Sequence, residues 1–446
     1  MNNSDTIFAV SSGSGMAGIA VIRMSGPKAG RLLVETAGSL PLPRLASVRQ
    51  LRDPASQEII DQALVLWMPG PNSATGEDVA EFHVHGSMAV VEAVFAVFRK
   101  YDGVRLAEAG EFTRRAFVND RMDLVEAEGL GDLLLARTEA QRRMAVHHML
   151  GHASSIYEQW RSEMIAILAR LEAAIDFVDE HDVAEAALVG VRSRTADLIG
   201  CLSKAADESG RAGAVRSGVK VVFAGAPNVG KSSLLNLVAA REAAIVSSRP
   251  GTTRDVIEVS IVLGGVPVIL TDTAGLRHDC EDEIENIGML KAKSEVAGAD
   301  IVVWVSSVDV QEEVRISALP ALRVLNKTDL LDEKSIRIWN DQASSPVLQI
   351  SARTGEGIAG FVTELEKLVM ARFGGMEHAS VVRARQKSAV DESIRFLNDS
   401  LLHDAAHIEF AAECLRKACY SIARVTGRVD VEDLLAKIFS EFCIGK

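Results

Sequence analysis

The residues with the most to say about chemistry form one run, Gly225-Ala226-Pro227-Asn228-Val229-Gly230-Lys231-Ser232, with Ser233 behind it. The spacing is that of a phosphate-binding loop, and its context is right: an apolar run over 219–224 precedes it and a helix is expected from near Ser233. Glycines let backbone amides approach phosphate oxygens, and the start of a helix favours anions. In such a loop Lys231 reaches the β and γ phosphates, and the Ser232 hydroxyl serves a Mg²⁺ ion.

Further segments follow in order, three of them at the ends of expected strands, where open α/β sheets place their ligands. Asp272-Thr273-Ala274-Gly275 ends the run 266–271; its carboxylate can support Mg²⁺ through water, and the Gly275 amide is left for the γ-phosphate. Asn326-Lys327-Thr328-Asp329 ends the run 322–325. The Asp329 carboxylate can accept from both N1–H and the exocyclic amine of guanine, a donor pair that adenine lacks. Ser351-Ala352-Arg353, after the run 347–350, would close over the base. Gly251-Thr252-Thr253-Arg254-Asp255 lies between the phosphate loop and Asp272, with Thr253 as the switch threonine that completes the Mg²⁺ shell. Taken in order, the set resembles a GTPase of the small-GTPase-related P-loop class. One departure is informative: Leu276 follows Gly275, where a Ras-type enzyme has a glutamine that orients the attacking water. An apolar side chain cannot do this, so a polar group must come from elsewhere, and Glu281-Asp282-Glu283-Ile284-Glu285 is the nearest supply.

The elements that must hold these residues can be read from periodicity. Runs at 219–224, 266–271, 301–305 and 322–326 alternate with helical spacing, which predicts βα units and a parallel sheet over 215–374. Residues 1–120 alternate short apolar runs such as Ala63-Leu-Val-Leu-Trp67 with turn signals, a mixed α/β domain. Helical spacing fills 121–214, as with Ile165, Leu168, Leu171 and Ile175. It returns over 375–446, as with Val390, Ile394, Leu397 and Leu401. Two helical blocks flanking an α/β unit read as one helical domain with a P-loop domain inserted in it.

The chain has 446 residues, 48% apolar and 24% charged, a globular balance with room for roughly three domains. The best apolar run, 88–98, is short and contains Glu92, so no membrane span is expected. Five scattered cysteines and an N-terminus without a basic patch or apolar core fit a reducing cytoplasm. A formal charge of -13 repels phosphate backbones at long range, so nucleic-acid contact would need a local basic patch or a partner.

Beyond the nucleotide motifs, Glu111-Phe112-Thr113-Arg114-Arg115-Ala116-Phe117 and Phe442-Cys443-Ile444-Gly445-Lys446 are unusual in a generic GTPase. With Ile22-Arg23-Met24-Ser25-Gly26-Pro27, Thr75-Gly76-Glu77-Asp78, Asp176-Phe177 and Glu432-Asp433-Leu434-Leu435, they resemble the MnmE (TrmE) family of the TrmE-Era-EngA-YihA-Septin-like class. The resemblance runs from end to end. It implies a folate-binding, dimerising N-terminal domain, a helical domain built from both flanks and an inserted GTPase domain. It further implies action with the flavoprotein MnmG, in a heterotetramer or larger complex, on C5 of the wobble uridine of certain tRNAs. The one-carbon unit would come from 5-formyl-tetrahydrofolate or another tetrahydrofolate derivative.

The resemblance also assigns residues. K⁺ would replace an arginine finger, held by Asn228, Ser247, Arg249 and Thr252. Glu285 matches the family's catalytic glutamate, and folate contacts fall on Arg23, Glu81, Arg121 and Lys446. Without the resemblance, Arg23 and Glu81 read as ordinary strand-edge charges. The sequence departs from the family at Ala74, Ser87, Arg121 and Arg249-Pro250, where tyrosine, glycine, lysine and Ile-Ala are usual. His83-Val84-His85 lacks a third ligand nearby and reads as structural, and Cys443 is left without a role. The competing readings are a regulatory or ribosome-assembly GTPase without folate chemistry, and an ATPase.

Overall fold

The structure, a computed structural model, describes residues 5–13, 15–176, 188–241, 258–272, 294–310, 321–331, 347–403, 407–429, 435, 438–440, 442 and 444–445. The chain divides into two compact units, one of Met1–Gly131, His148–Ile165 and Arg416–Lys446, the other of Asp132–His147 and Ala166–Leu415.

The first unit is built on a six-stranded mixed sheet in the order β3-β4-β5-β2-β1-β6. Its strands are β1 (Thr6–Val10), β2 (Ala17–Ser25), β3 (Ser47–Arg52), β4 (Ile59–Met68), β5 (Val79–Gly86) and β6 (Val104–Leu106). Alternation decides the faces: Ala20, Ile22 and Met24 of β2, Ala80, Phe82 and Val84 of β5, and Ala63, Val65 and Trp67 of β4 are buried. Helices α1 (Ala29–Ala37) and α2 (Met88–Phe98) cover that face through Leu32, Leu33, Phe95 and Phe98. Truncating a ring such as Phe82, fully buried here, to alanine would cost about 3–5 kcal/mol. The intervening residues of β2 and β5 carry Arg23 and Glu81, paired in register on adjacent inner strands. The strand-edge reading of this pair is therefore corrected. Periodicity assigns a residue to a face, but strand order, with β5 beside β2, is set by non-local pairing. Helices α3 (Glu111–Val118) and α4 (Leu124–Leu135) complete this part of the chain.

Helices α5 (Glu139–Met149), α6 (His152–Asp176) and α7 (Val191–Ser217) lead to the second sheet. Its strands β7 (Val219–Ala224), β8 (Glu258–Leu263), β9 (Val266–Asp272), β10 (Ile301–Ser307), β11 (Leu322–Asn326) and β12 (Leu348–Gln349) lie in the order β12-β11-β10-β7-β9-β8. All neighbours are parallel except β8 against β9. Val219, Val221 and Phe223 of β7, Val303 and Val305 of β10 and Val268 and Leu270 of β9 are buried with Leu234, Leu235 and Val238 of α8 (Lys231–Arg241) and Ile358, Phe361 and Leu365 of α9 (Ile358–Phe373). Such nearly continuous apolar runs are what a helix-covered parallel sheet requires. Helix α8 begins at Lys231, two residues before the expected start. The last strand is only Leu348–Gln349, because it pairs with β11 at just Val324 and Leu325.

Helices α10 (Ala384–Leu402) and α11 (Ile408–Thr426) follow, and α10 packs along α7. Asp132 ties the two ends of the α/β segment. Arg216, in the last turn of α7, donates from Nε to both Asp132 oxygens at 3.0 Å, and Arg383, which precedes α10, donates from Nη2 at 2.7 Å.

Candidate functional site

The phosphate loop leaves β7 where the sheet changes direction, with β9 on one side of β7 and β10 on the other. This switch point is where open α/β sheets bind ligands. The loop backbone needs its glycines: Gly225 and Gly230 have φ of 152° and 94°. A Cβ on Gly225 would run into the Val305 carbonyl, and one on Gly230 into Asn326 Nδ2. Asn228 is itself left-handed, with φ 63°, a conformation that asparagine tolerates better than most residues.

Lys231 and Ser232 open α8. Lys231 is buried, and its ammonium donates to the Gly225 carbonyl at 2.9 Å and the Ala226 carbonyl at 2.8 Å. Burial lowers its pKa, and the nearby charge of Asp272 works in the opposite direction. The Ser232 hydroxyl donates to Asp272 Oδ2 at the end of β9. A hydroxyl and a carboxylate that meet at the head of a phosphate loop form an all-oxygen donor set suited to a hard divalent cation.

Residues 326–329 and 351–353 are tied to this loop. Asn326 Nδ2 donates to the Val229 carbonyl at 2.8 Å, and its Oδ1 accepts from the Ala352 amide at 2.9 Å. Thr328 Oγ1 donates to the Ile350 carbonyl at 2.9 Å. Ser351 Oγ donates to Asp329 Oδ1 at 2.7 Å, which fixes that carboxylate and leaves Oδ2 for other donors. Gly230, Ser233, Asn326, Lys327, Asp329, Ala352 and Arg353 line one pocket of about 500 Å³. The structure therefore brings Asn228 to Ser233, Asp272, Asn326 to Asp329 and Ser351 to Arg353 together at the C-terminal ends of β7, β9, β11 and β12. Ser247 to Thr253, Thr273 to Gly275 and Glu285 lie outside the described residues. Asp309, which sequence reasoning missed, lines the same pocket and holds Lys327.

A second constellation lies in the first unit. Arg23 Nε donates to Glu81 Oε1 at 2.9 Å, His83 Nε2 lies 3.3 Å from Glu81 Oε2, and the Arg23 guanidinium sits 5.9 Å from the Phe112 ring centre. Segments singled out in the sequence converge beside it. Arg115 donates to Glu77 at 2.8 Å and to Glu111 at 3.3 Å, and the Ser25 hydroxyl donates to Glu77 at 2.7 Å and meets Thr75 Oγ1 at 2.6 Å. Arg121 is exposed beside Gly76, where a Cβ would meet its Cγ at 3.3 Å. Lys446 lies outside the described residues. The chain just before it is anchored, since Ser11 Oγ donates to the Gly445 carbonyl at 2.8 Å and Ile444 forms a β-bridge with Ala109. His85 pairs with Asp61 at 2.7 Å. Among the described residues no cluster of three or more His, Cys, Asp or Glu side chains could hold a metal, and no helix is long and apolar enough to cross a membrane.

Comparison with known proteins adds a common thread. Residues 6–121 match the family model described as GTP-binding protein TrmE N-terminus, and residues 124–443 match that described as MnmE helical domain. A relative from Rhodopseudomonas palustris named tRNA modification GTPase MnmE is 44% identical over 447 residues, covering 100% of both chains. One of the same name from Bradyrhizobium sp. is 45% identical over 441 residues, covering 99% of each chain. Among solved structures, Era in complex with MgGDPNP and a 16S ribosomal RNA fragment is 24% identical over 33% of this chain and 56% of its own, with a TM-score of 0.27.

Proposed function

This chain belongs to the MnmE family of tRNA modification GTPases, and from that premise we propose how its residues divide the work. It is a GTP hydrolase that serves tRNA modification. The observation that carries the reading is the single pocket shared by the phosphate loop and Asp329, with Asn326 bonded to both the Val229 and Ala352 backbones. The Asp329 carboxylate reads N1–H and the exocyclic amine of guanine, while the amides of 228–233 and the Lys231 ammonium receive the phosphates. Lys231 then exchanges its two carbonyl partners for phosphate oxygens, whose negative charge offsets the cost of burying the ammonium.

The hydroxyl of Ser232, with Asp272 behind it, would hold Mg²⁺ together with Thr253; when bound, the ion draws charge from the β and γ phosphates. Asn228, with Ser247, Arg249 and Thr252, would hold K⁺, which offsets charge developing on the phosphoryl group. Glu285 orients the attacking water in place of the glutamine that Leu276 cannot supply. Ser248, Pro250, Gly251, Thr273, Ala274 and Gly275 complete the nucleotide contacts.

The domains run 1–120, 121–214, 215–374 and 375–446, the third inserted between two parts of one helical domain. The Arg23–Glu81 pair supports a folate site in the first: a carboxylate held in place by Arg23, with lone pairs remaining on both oxygens, suits the donor edge of a pterin, and Arg121 and Lys446 suit the glutamate tail. The chain then acts as a homodimer with MnmG, adding an aminomethyl-type group at C5 of the wobble uridine of tRNA in the cytoplasm. Asp329→Asn tests the base assignment. It should weaken GTP binding by about 2–3 kcal/mol, on the order of a hundredfold, and shrink the preference over ATP. An unchanged preference in equilibrium binding would remove Asp329 from base reading.

A further inference from the structure

Asp309 and Asp329, two acidic residues, line the same pocket as Lys327. Lys327 donates from Nζ to Asp309 Oδ2 at 2.7 Å, and the Ser307 hydroxyl donates to Asp309 Oδ1 at 2.7 Å. Ser307 is buried at the end of β10 and stands in register with Asn326 of β11. The Asp309 carboxylate is therefore fixed to the sheet on one oxygen and presents the other to Lys327. Lys327 has a left-handed backbone, with φ 62°, a strained conformation for a long side chain that its surroundings must hold. The Lys327 hydrogen bond, followed by that from Ser307, keeps the Asp309 carboxyl below its ordinary range.

Asp329 is two residues beyond Lys327 in the same lining. Its Oδ1 is taken by Ser351, and base reading needs the remaining lone pairs. A flexible lysine without another partner would pair with that carboxylate and compete with the donor edge of guanine. We infer that Asp309 is a positioning and specificity-determining residue: it sequesters the Lys327 ammonium and so leaves the Asp329 carboxylate to the guanine base. The inference rests on the GTP site proposed above and extends it to a residue outside the nucleotide motifs.

The test is equilibrium binding of GTP and ATP to the full chain and to Asp309→Ala, Asp309→Glu, Lys327→Ala and the Asp309→Ala/Lys327→Ala double variant. Asp309→Ala should weaken GTP binding about three- to tenfold, the range of a partly exposed ion pair, and leave ATP binding unchanged. Asp309→Glu should restore GTP binding, and the double variant should bind GTP no worse than Lys327→Ala alone, because the competitor is gone. Equal losses for GTP and ATP would mean that Asp309 merely supports the fold of the pocket and would overturn the inference, as would an Asp309→Ala variant that binds GTP like the parent. A parent chain that does not prefer GTP to ATP would instead sink the underlying site assignment.

Discussion

Glu285 carries the heaviest chemical load of any single residue in this account. Leu276 occupies the position after the Asp272-Thr273-Ala274-Gly275 motif, and in the proposed mechanism Glu285 supplies the polar group that an apolar side chain there cannot. Glu285→Ala is expected to abolish single-turnover hydrolysis with GTP affinity within about twofold of the parent, the pattern of a group that acts mainly in the transition state. Loss of binding in step with loss of turnover would assign Glu285 to ground-state contacts. At this scale the nucleotide motifs were legible in the sequence because the ligand fixes residue types at fixed offsets: a loop that wraps phosphate must have glycine at 225 and 230, where the backbone is left-handed. Asp309 was not legible. It belongs to no motif, and it meets Lys327 only because β10 and β11 pair in a register that puts Ser307 opposite Asn326.

Between elements, two charge clusters matter, one local and one that joins segments distant in sequence. Glu111 opens α3 and accepts from Arg105 Nη2 at 2.6 Å, from Arg115 and from the Glu108 amide. Burial alone would raise its pKa, but the Arg105 and amide hydrogen bonds and the charges of both arginines outweigh it, so the carboxyl titrates below the ordinary glutamate range. A depressed folded pKa stabilises above the unfolded value and is lost as pH falls through the folded one. Glu111→Gln should therefore destabilise the chain by about 2–3 kcal/mol at pH 7, with the gap to the parent closing below the ordinary carboxyl range in thermal melts at stepped pH. A constant gap at every pH would show a packing loss instead. Asp132, joined to Arg216 and Arg383, pins α7 and α10 where the chain enters and leaves the α/β segment. Asp132→Ala should cost about 1–3 kcal/mol in chemical denaturation, and no measurable loss would mean that the packing of α7 on α10 suffices. Periodicity found these helices and most strands. It did not place Arg23 and Glu81 on inner strands, nor see that β12 has only two residues, because both depend on which strands become neighbours.

On the scale of the molecule, a chain of net charge -13 that serves tRNA modification must offset that charge locally or through a partner, as long-range repulsion of phosphate backbones requires. The fold class was legible because its parts announce themselves differently: alternating runs for the mixed sheet, continuous apolar runs for the parallel one, and three- and four-residue spacing for the helices. The reach of the family resemblance came from short segments, Ser25, Thr75-Gly76-Glu77 and Glu111 to Arg115, and the structure gives these a physical basis in one hydrogen-bonded network. The central claim is that this molecule is a guanine-selective, cation-dependent GTP hydrolase. The most direct test is steady-state hydrolysis by the purified chain in matched K⁺ and Na⁺ buffers, with ATP as the control. The account predicts GTP turnover that K⁺ stimulates at least tenfold over Na⁺, with no turnover of ATP. Equal rates in the two salts would contradict the K⁺ site around Asn228, and comparable turnover of ATP would contradict the reading of the nucleotide pocket itself.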